Sequence, residues 1–469
     1  MWFFVLLTIY TGIIYYLGHR IWKKTRQISF PIGIALLYYW SLLGSWFFVY
    51  DDLSGGAGAA IGLHYYIYLE KMFMVHADGA YMMAISLYAL FIICIETVVL
   101  YFAKPASESA AKNPVRINHP ILLIGCLVGV VLSGMIVWKQ ILFAAGHKLS
   151  VYTVTRTTDN SLFTIHQLLN QVSVTALYVG LISYLCNKDG RIIEGGKSYR
   201  VYIFYILATL FIEGFMLFLG NKREILFGGI FGMVFYFANM QNRIKWKPVF
   251  FICLIVVIPL FFNDALRAYS PTFLARWFNI PVLEMKIPEA EPAGFSVSGA
   301  ATTFLFSNEM FCANFSMYGA IHYKVPYTYG SSFVYLATSI VPRAIIPERP
   351  PDIYAYYAKQ LHMKEGQGYT IHHATGWYLN FGIIGVLAGA FVWGLIWVFF
   401  YNKFLLQDNF SGFKGILFGL GLALFTSAIP SMVRGGPEGY KALAMEYLLF
   451  PVLAVFLAYM MQKLKKQKT

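Results

Sequence analysis

Apolar runs of membrane length recur along almost the whole chain. They fall at residues 2–18, 28–50, 80–103, 119–143, 162–186, 201–219, 225–241, 248–264, 376–401, 415–430 and 442–462. A hydrocarbon core about 30 Å thick takes about 20 apolar residues of helix to cross. Inside it every backbone N–H and C=O must find a partner, and a helix satisfies them all locally. Each run therefore predicts a helix. The first run lacks a basic leading stretch and a small-residue cleavage site, so it is expected to stay as a span. Composition agrees: of 469 residues, 58% are hydrophobic and only 12% charged, where soluble domains carry about a quarter charged. A soluble globule, a disordered chain and a disulfide scaffold are excluded. The expected fold is an all-α polytopic integral membrane protein with about 11 transmembrane helices, forming a single transmembrane domain over residues 1–469.

A net charge of +14 raises the question of a nucleic-acid partner. The placement of the charges answers it. Alternate connections hold twenty Lys and Arg residues, among them Arg20, Lys24, Arg116, Arg191, Lys403 and Lys465. The short connections on the other side hold seven. Basic loops stay on the cytoplasmic side, so the N-terminus is expected outside and the C-terminus in the cytoplasm. The basic balance is mostly topological, and no nucleic-acid partner is expected.

One connection is exceptional. Residues 265–375 form a large extracytoplasmic loop within this domain, with rather apolar segments at 299–322 and 329–341. Short helices lying at the outer membrane face are expected there.

The connections on the basic side hold no G-x-x-x-x-G-K-[ST] motif and no kinase signature. Chemistry is thus expected on the outer side, where basic residues should be sparse. Arg223 stands there in a very short turn, Gly220-Asn221-Lys222-Arg223-Glu224. Arg343 and Arg349 stand in Pro342-Arg343-Ala344-Ile345-Ile346-Pro347-Glu348-Arg349-Pro350-Pro351-Asp352, which its prolines stiffen. Arg434 stands in Val433-Arg434-Gly435-Gly436-Pro437-Glu438. The planar guanidinium fork suits phosphate, and each charge-assisted contact is worth about 1.5–3 kcal/mol. Together they are read as a pyrophosphate-binding set. The alternative is four interfacial arginines reaching toward lipid headgroups.

Proton acceptors come next. His372 and His373 precede the ninth run, and a neutral imidazole there can take a proton from a hydroxyl. Asp352 is a carboxylate alternative. No further His, Cys or Asp residues accompany the pair at metal-ligand spacing, so neither a metal nor another cofactor is expected. His166 and Asn170, four apart on the fifth run, are candidates for sugar hydroxyls, with interhelical hydrogen bonding as the plainer account. Glu96, Lys139, Glu213 and Glu446 fall within apolar runs, where ionisable residues are functional candidates.

Four features resemble the oligosaccharide repeat-unit polymerases of the Wzy, or O-antigen polymerase, type. They are Gly220-x-x-Arg223 before a span, Pro342-Arg343-x-x-x-Pro347-x-Arg349-Pro350, Gly376-Trp377-Tyr378-Leu379-Asn380-Phe381-Gly382-x-x-Gly385, and many spans with one large outer loop late in the chain. Trp377 stands where that third stretch has Glu in relatives, which moves the expected base to His372 or His373. The resemblance implies a metal-independent, GT-C-like glycosyltransferase of the bacterial inner membrane. It would polymerise undecaprenyl-pyrophosphate-linked oligosaccharide repeat units at the outer leaflet, for O-antigen, capsule or exopolysaccharide. Asn380 enters as a further sugar-binding candidate. The implied partners are the lipid-linked oligosaccharide, membrane lipid and a polysaccharide chain-length regulator. Two rivals keep the same substrate: an O-antigen ligase-like transferase, and a non-enzymatic flippase of lipid-linked glycans.

Overall fold

The computed structural model describes residues 2–53, 75–106, 115–147, 154, 160–186, 193–194, 199–240, parts of 246–278, 313–341, 345–346, 348–362, 370–406 and 412–467. Nearly all of these are helical. The exception is a parallel pair of two residues each, Val115–Arg116 with Ile193–Glu194.

Among the described residues nine helices are long and apolar enough to cross a membrane. The chain is a membrane-embedded helical protein. Two of the eleven expected spans are not among the nine. Residues 225–241 fall in the helix Lys222–Met240, whose first turn carries Lys222, Arg223 and Glu224. The run 248–264 is described only in part. One expectation is corrected. The run 119–143 is not one helix, because His119–Ile136 stops at Val137 (φ −98°, ψ 13°) and a new helix, Trp138–Gly146, begins. Lys139 therefore sits, exposed, in the first turn of a short second helix and not inside a span.

The helix ends obey ordinary local chemistry. Asp78 caps Gly79–Phe102 by accepting the Tyr81 N–H at 2.9 Å. Asn118 caps His119–Ile136 through the Ile121 N–H at 3.2 Å, with Pro120 just inside the helix. Such side chains satisfy N–H groups that the first helical turn leaves unpaired. Lys23 and Lys24 close Trp2–Thr25, and Lys465 and Lys466 close Phe450–Gln467, where the helix dipole favours cations.

The chain divides into two compact units. The first comprises residues 1–109, 302–406 and 428–445. Its axis is Gly79–Phe102, which packs on Trp2–Thr25, on Phe315–His322 and on His373–Leu406. Phe315–His322, Ser331–Ser339 and Ile353–Gln360 are the short helices within the 265–375 stretch.

The helix His373–Leu406 is broken. Phe381 (φ −143°, ψ 22°) and Gly382 (φ 62°, ψ −144°) leave helical geometry. The break folds residues 373–380 back against the first turns of the helix beyond it. A Cβ on Gly385 would stand 2.1 Å from the Trp377 carbonyl oxygen, eight residues earlier, although eight residues of straight helix rise about 12 Å. A carbonyl freed by the break is retaken: Leu379 O accepts the Thr328 N–H at 2.7 Å. Irregular backbone within a span is tolerated only with such repair.

The second unit comprises residues 110–301, 407–427 and 446–469. Asn160–Leu185 is its axis, against His119–Ile136, Tyr199–Leu219, Lys222–Met240 and Phe450–Gln467. Gly228 and Gly232, spaced as in G-x-x-x-G, press on the Tyr178 ring, and a Cβ on either would stand under 3 Å from it. Small residues let membrane helices approach this closely.

Candidate functional site

The first unit gathers the histidine pair, Asp352, Arg349 and Arg434. Both histidines are fully buried, yet their rings are held in opposite tautomers. His372 Nδ1 accepts the Ala374 N–H at 3.1 Å, so its proton is on Nε2, 2.8 Å from Ser41 Oγ. Its own backbone N–H donates to Ser316 Oγ at 3.1 Å. Burial, and then the neighbouring His373, hold the His372 ring well below the ordinary imidazole range. It is a sealed, neutral post. Around it Tyr88, Ser316 and Thr375 form a closed hydroxyl network.

His373 is arranged the other way. Its Nδ1 lies 2.7 Å from the Gly435 carbonyl, which can only accept. The proton is therefore on Nδ1, and Nε2 presents its lone pair. Trp377 Nε1–H donates to Nε2 at 3.0 Å, and the Tyr440 hydroxyl lies 3.2 Å from it. Tyr440 is only half-buried. So the Nε2 lone pair of buried His373 faces both the Trp377 N–H and the half-buried Tyr440 hydroxyl.

The turn after Val433 positions both partners. Gly436 lets it lie against Gly376, where an added Cβ would stand 2.6 Å from the Gly436 Cα. Its next residues tie it to the Ile353–Gln360 helix. The Tyr354 hydroxyl donates to the Arg434 carbonyl at 2.8 Å, and Glu438 Oε1 accepts the Ile353 N–H at 2.8 Å. Asp352 caps the same helix through the Ala355 N–H at 2.7 Å. One helix start thus takes two acidic side chains. Burial first, and then Asp352, push the Glu438 carboxyl up to about 8, against the pull of the Ile353 N–H.

The cations form a second layer. Arg349 Nε donates to Ile346 O at 3.0 Å, and its Nη2 donates to Val341 O. Lys441 Nζ donates to Ser339 O at 2.7 Å. Arg349 and Lys441 therefore meet carbonyls two residues apart. Arg434, half-buried, starts the turn that carries Glu438, Tyr440 and Lys441. Arg343 lies outside the described residues.

Other predicted residues sit elsewhere. Arg223 belongs to the second unit, where it pairs with Glu446 at 3.2 Å and with buried Glu224 at 3.5 Å and lies over the Tyr447 ring. Two carboxylates offset its charge there. His166 is buried in that unit too. Ser133 Oγ lies 2.6 Å from its Nδ1, and Asn221 and Asn170 amides donate to its Nε2 at 2.9 and 3.2 Å. Asn380 is buried in the first unit and bonds Thr328 at 2.8 Å and Ser332 at 2.9 Å. All three make interhelical or interloop hydrogen bonds. Among the described residues no group of three or more His, Cys, Asp or Glu side chains comes together as a metal site.

Sequence reasoning did not single out Tyr440, Trp377, Glu438 or Lys441 as site residues. The i, i+4 spacing of His373 and Trp377 was the available signal for one of them. The others depend on a return of the chain sixty residues later. No protein-family model, curated protein or solved structure matches the chain.

Proposed function

We propose that this chain is a membrane glycosyltransferase that joins lipid-linked oligosaccharide repeat units at the outer leaflet of a bacterial inner membrane. The observation that carries the reading is His373: an Nε2 lone pair 3.2 Å from the Tyr440 hydroxyl, in the same compact unit as Arg349, Arg434 and Lys441. In the reaction the acceptor hydroxyl oxygen forms a bond to the anomeric carbon of the donor sugar. The bond from that carbon to the pyrophosphate oxygen breaks, and the polyprenyl pyrophosphate leaves. The acceptor proton passes to Tyr440 as Tyr440 passes its own to His373 Nε2. Negative charge grows on the leaving pyrophosphate, so fixed cations stabilise the transition state more than the ground state. Arg434, Arg349, Lys441 and Arg343 of the same proline-framed segment are assigned that role. The energy lies in the donor linkage, and no nucleotide is required.

This reading takes the chain as eleven spans with the N-terminus outside, and the short helices after residue 312 as part of the outer loop. A chain-length regulator is its expected protein partner.

The test is purified protein in nanodiscs with a synthetic polyprenyl-pyrophosphate-linked repeat unit, without nucleotide sugar and with EDTA. A product ladder spaced by one repeat unit, lost in His373→Gln and Arg434→Ala, supports the polymerase. Transfer of the glycan to a lipid A core acceptor without a ladder would make it a ligase. Movement of intact lipid across the bilayer with no new glycosidic bond would sink the enzyme reading in favour of a flippase.

A further inference from the structure

A groove of about 500 Å³ opens on the second unit, toward the adjoining ends of His119–Ile136 and Tyr199–Leu219. Its lining is apolar. Trp138, Phe211, Phe215, Trp277 and Phe278 wall it around Gly214. Trp138 meets Phe278 edge-on at 5.2 Å, and Trp277 stands 6.1 Å from Phe278. The floor is closed by a packed cluster that includes Val137, Leu219 and Ala275. Such a lining offers almost nothing to a polar ligand and suits a hydrocarbon chain, and the volume is that of a small-ligand site.

Two further observations define the occupant. The groove continues into the exposed apolar face of Tyr199–Leu219, where Leu207, Leu210 and Phe211 are all more than half exposed, on a helix fit to cross a membrane. The surroundings are therefore bilayer. And each wall tryptophan has a cation beside it in the chain: Lys139 comes directly after Trp138 and Arg276 directly before Trp277, both exposed. Indole rings favour the membrane–water boundary, and basic residues at that boundary attract anionic headgroups.

We infer that this groove binds an anionic glycerophospholipid of the surrounding bilayer, one acyl chain along the rings and the phosphate at Lys139 and Arg276. The site is separate from the chemistry proposed above. It holds the short helix Trp138–Gly146 and the 273–278 segment together around a lipid that the chain selects by charge.

The experiment uses the full chain in detergent micelles and brominated lipids, which quench nearby tryptophan fluorescence. Brominated phosphatidylglycerol and brominated phosphatidylcholine are titrated in turn. Wild type is expected to saturate with phosphatidylglycerol at a concentration about fivefold or more below that for phosphatidylcholine. Lys139→Gln with Arg276→Gln removes that preference. Gly214→Leu fills the groove and lowers the quenching by both lipids; a Cβ there meets nothing within 4 Å, and leucine is the better helix former, so this variant keeps the fold. Equal saturation by both lipids in wild type, or a preference that survives the charge variant, would overturn the inference. So would displacement of brominated phosphatidylglycerol by polyprenyl phosphate at lower concentration than by unlabelled phosphatidylglycerol, because the groove would then hold the tail of a different lipid.

Discussion

Gly376 and Gly436 approach so closely that a Cβ on Gly376 would stand 2.6 Å from the Gly436 Cα and 2.8 Å from Pro437 Cδ. Neither neighbour is a flexible side-chain end, so the backbone must move to admit a methyl group. Gly376→Ala is expected to lower stability by about 1–3 kcal/mol and to pull the Gly435 carbonyl from His373 Nδ1. Gly439→Ala is the control, because its added Cβ meets only the Met432 sulfur at 3.5 Å. Melting curves of the two purified variants should differ by several degrees. Equal melting would refute the tight approach.

If His373 is the base, its removal acts on rate rather than on folding. His373→Gln is expected to reduce repeat-unit joining by about 10²–10⁴-fold. Tyr440→Phe removes the hydroxyl that relays the proton to His373 and is expected to lower it to a similar extent. Tyr440→Phe should leave the melting temperature within a degree or two. The ladder assay with product quantified over time compares the two variants. A Tyr440→Phe protein as fast as wild type would take the phenol out of the proton path.

The sequence patterns carried the helices well where hydrophobicity is continuous, and badly where it conceals a local break. The run 119–143 has no gap in hydropathy, so nothing in its composition marks Val137, yet the helix ends there and exposed Lys139 falls in the first turn of the next one. The ninth run hides a larger change. Gly382 was visible as a glycine, but a glycine in a span is as often a packing contact as a hinge. Only its backbone angles and the return of Trp377 against Gly385 distinguish the two.

The site divides along a similar line. His372, His373, Asp352, Arg349 and Arg434 stood out because charge is rare in this chain. Their grouping in one compact unit could not be read from spacing, since Glu438 accepts the Ile353 N–H across 85 positions. Chemistry that depends on a ring's tautomer was equally illegible. The pair His372–His373 is symmetric in sequence, and only Ala374, Ser41 and Gly435 put the proton of one ring on Nε2 and that of the other on Nδ1.

Glu438 gives a pH dependence with a defined sign. Its carboxyl titrates at about 8 in the folded chain against 4.5 for the ordinary group. The folded state therefore holds the proton more tightly. The stability this contributes is full below pH 4.5 and is lost as pH rises to about 8. Glu438→Gln keeps an oxygen for the Ile353 N–H and removes the titration. Melting temperatures from pH 5 to 9 should fall more steeply for wild type than for Glu438→Gln, with Asp352, Arg434 and Tyr354 unchanged in both. Parallel curves would dismiss Glu438 as the titrating group.

Gly382 should tolerate no side chain. Its φ of 62° with ψ of −144° is a glycine region, and a Cβ would stand 2.9 Å from the Tyr327 hydroxyl. Gly412 also has a positive φ, 77°, but nothing lies within 4 Å of its added Cβ. Both alanine variants carry backbone strain of about 1–3 kcal/mol, and Gly382→Ala adds the clash. Gly382→Ala is thus expected to melt below Gly412→Ala. The reverse order would mean that the break at 381–382 is not held as described.

Arg223 stands between Glu446 and Glu224 with the Tyr447 ring beneath it. Its first contribution is therefore structural, and its removal leaves two carboxylates facing each other in a poorly hydrated setting. Arg223→Ala is expected to lower stability by about 3 kcal/mol, near the lower end for breaking a buried pair. Adding Glu446→Gln removes one of the stranded charges and should restore part of that loss. Arg223→Lys keeps the charge but not the fork, and should fall between. If Arg223 instead acted only on a pyrophosphate, Arg223→Ala would melt like wild type and Glu446→Gln would rescue nothing. Melting of the four proteins at low and high salt decides between the two roles, since relief of carboxylate repulsion by salt should appear in Arg223→Ala alone.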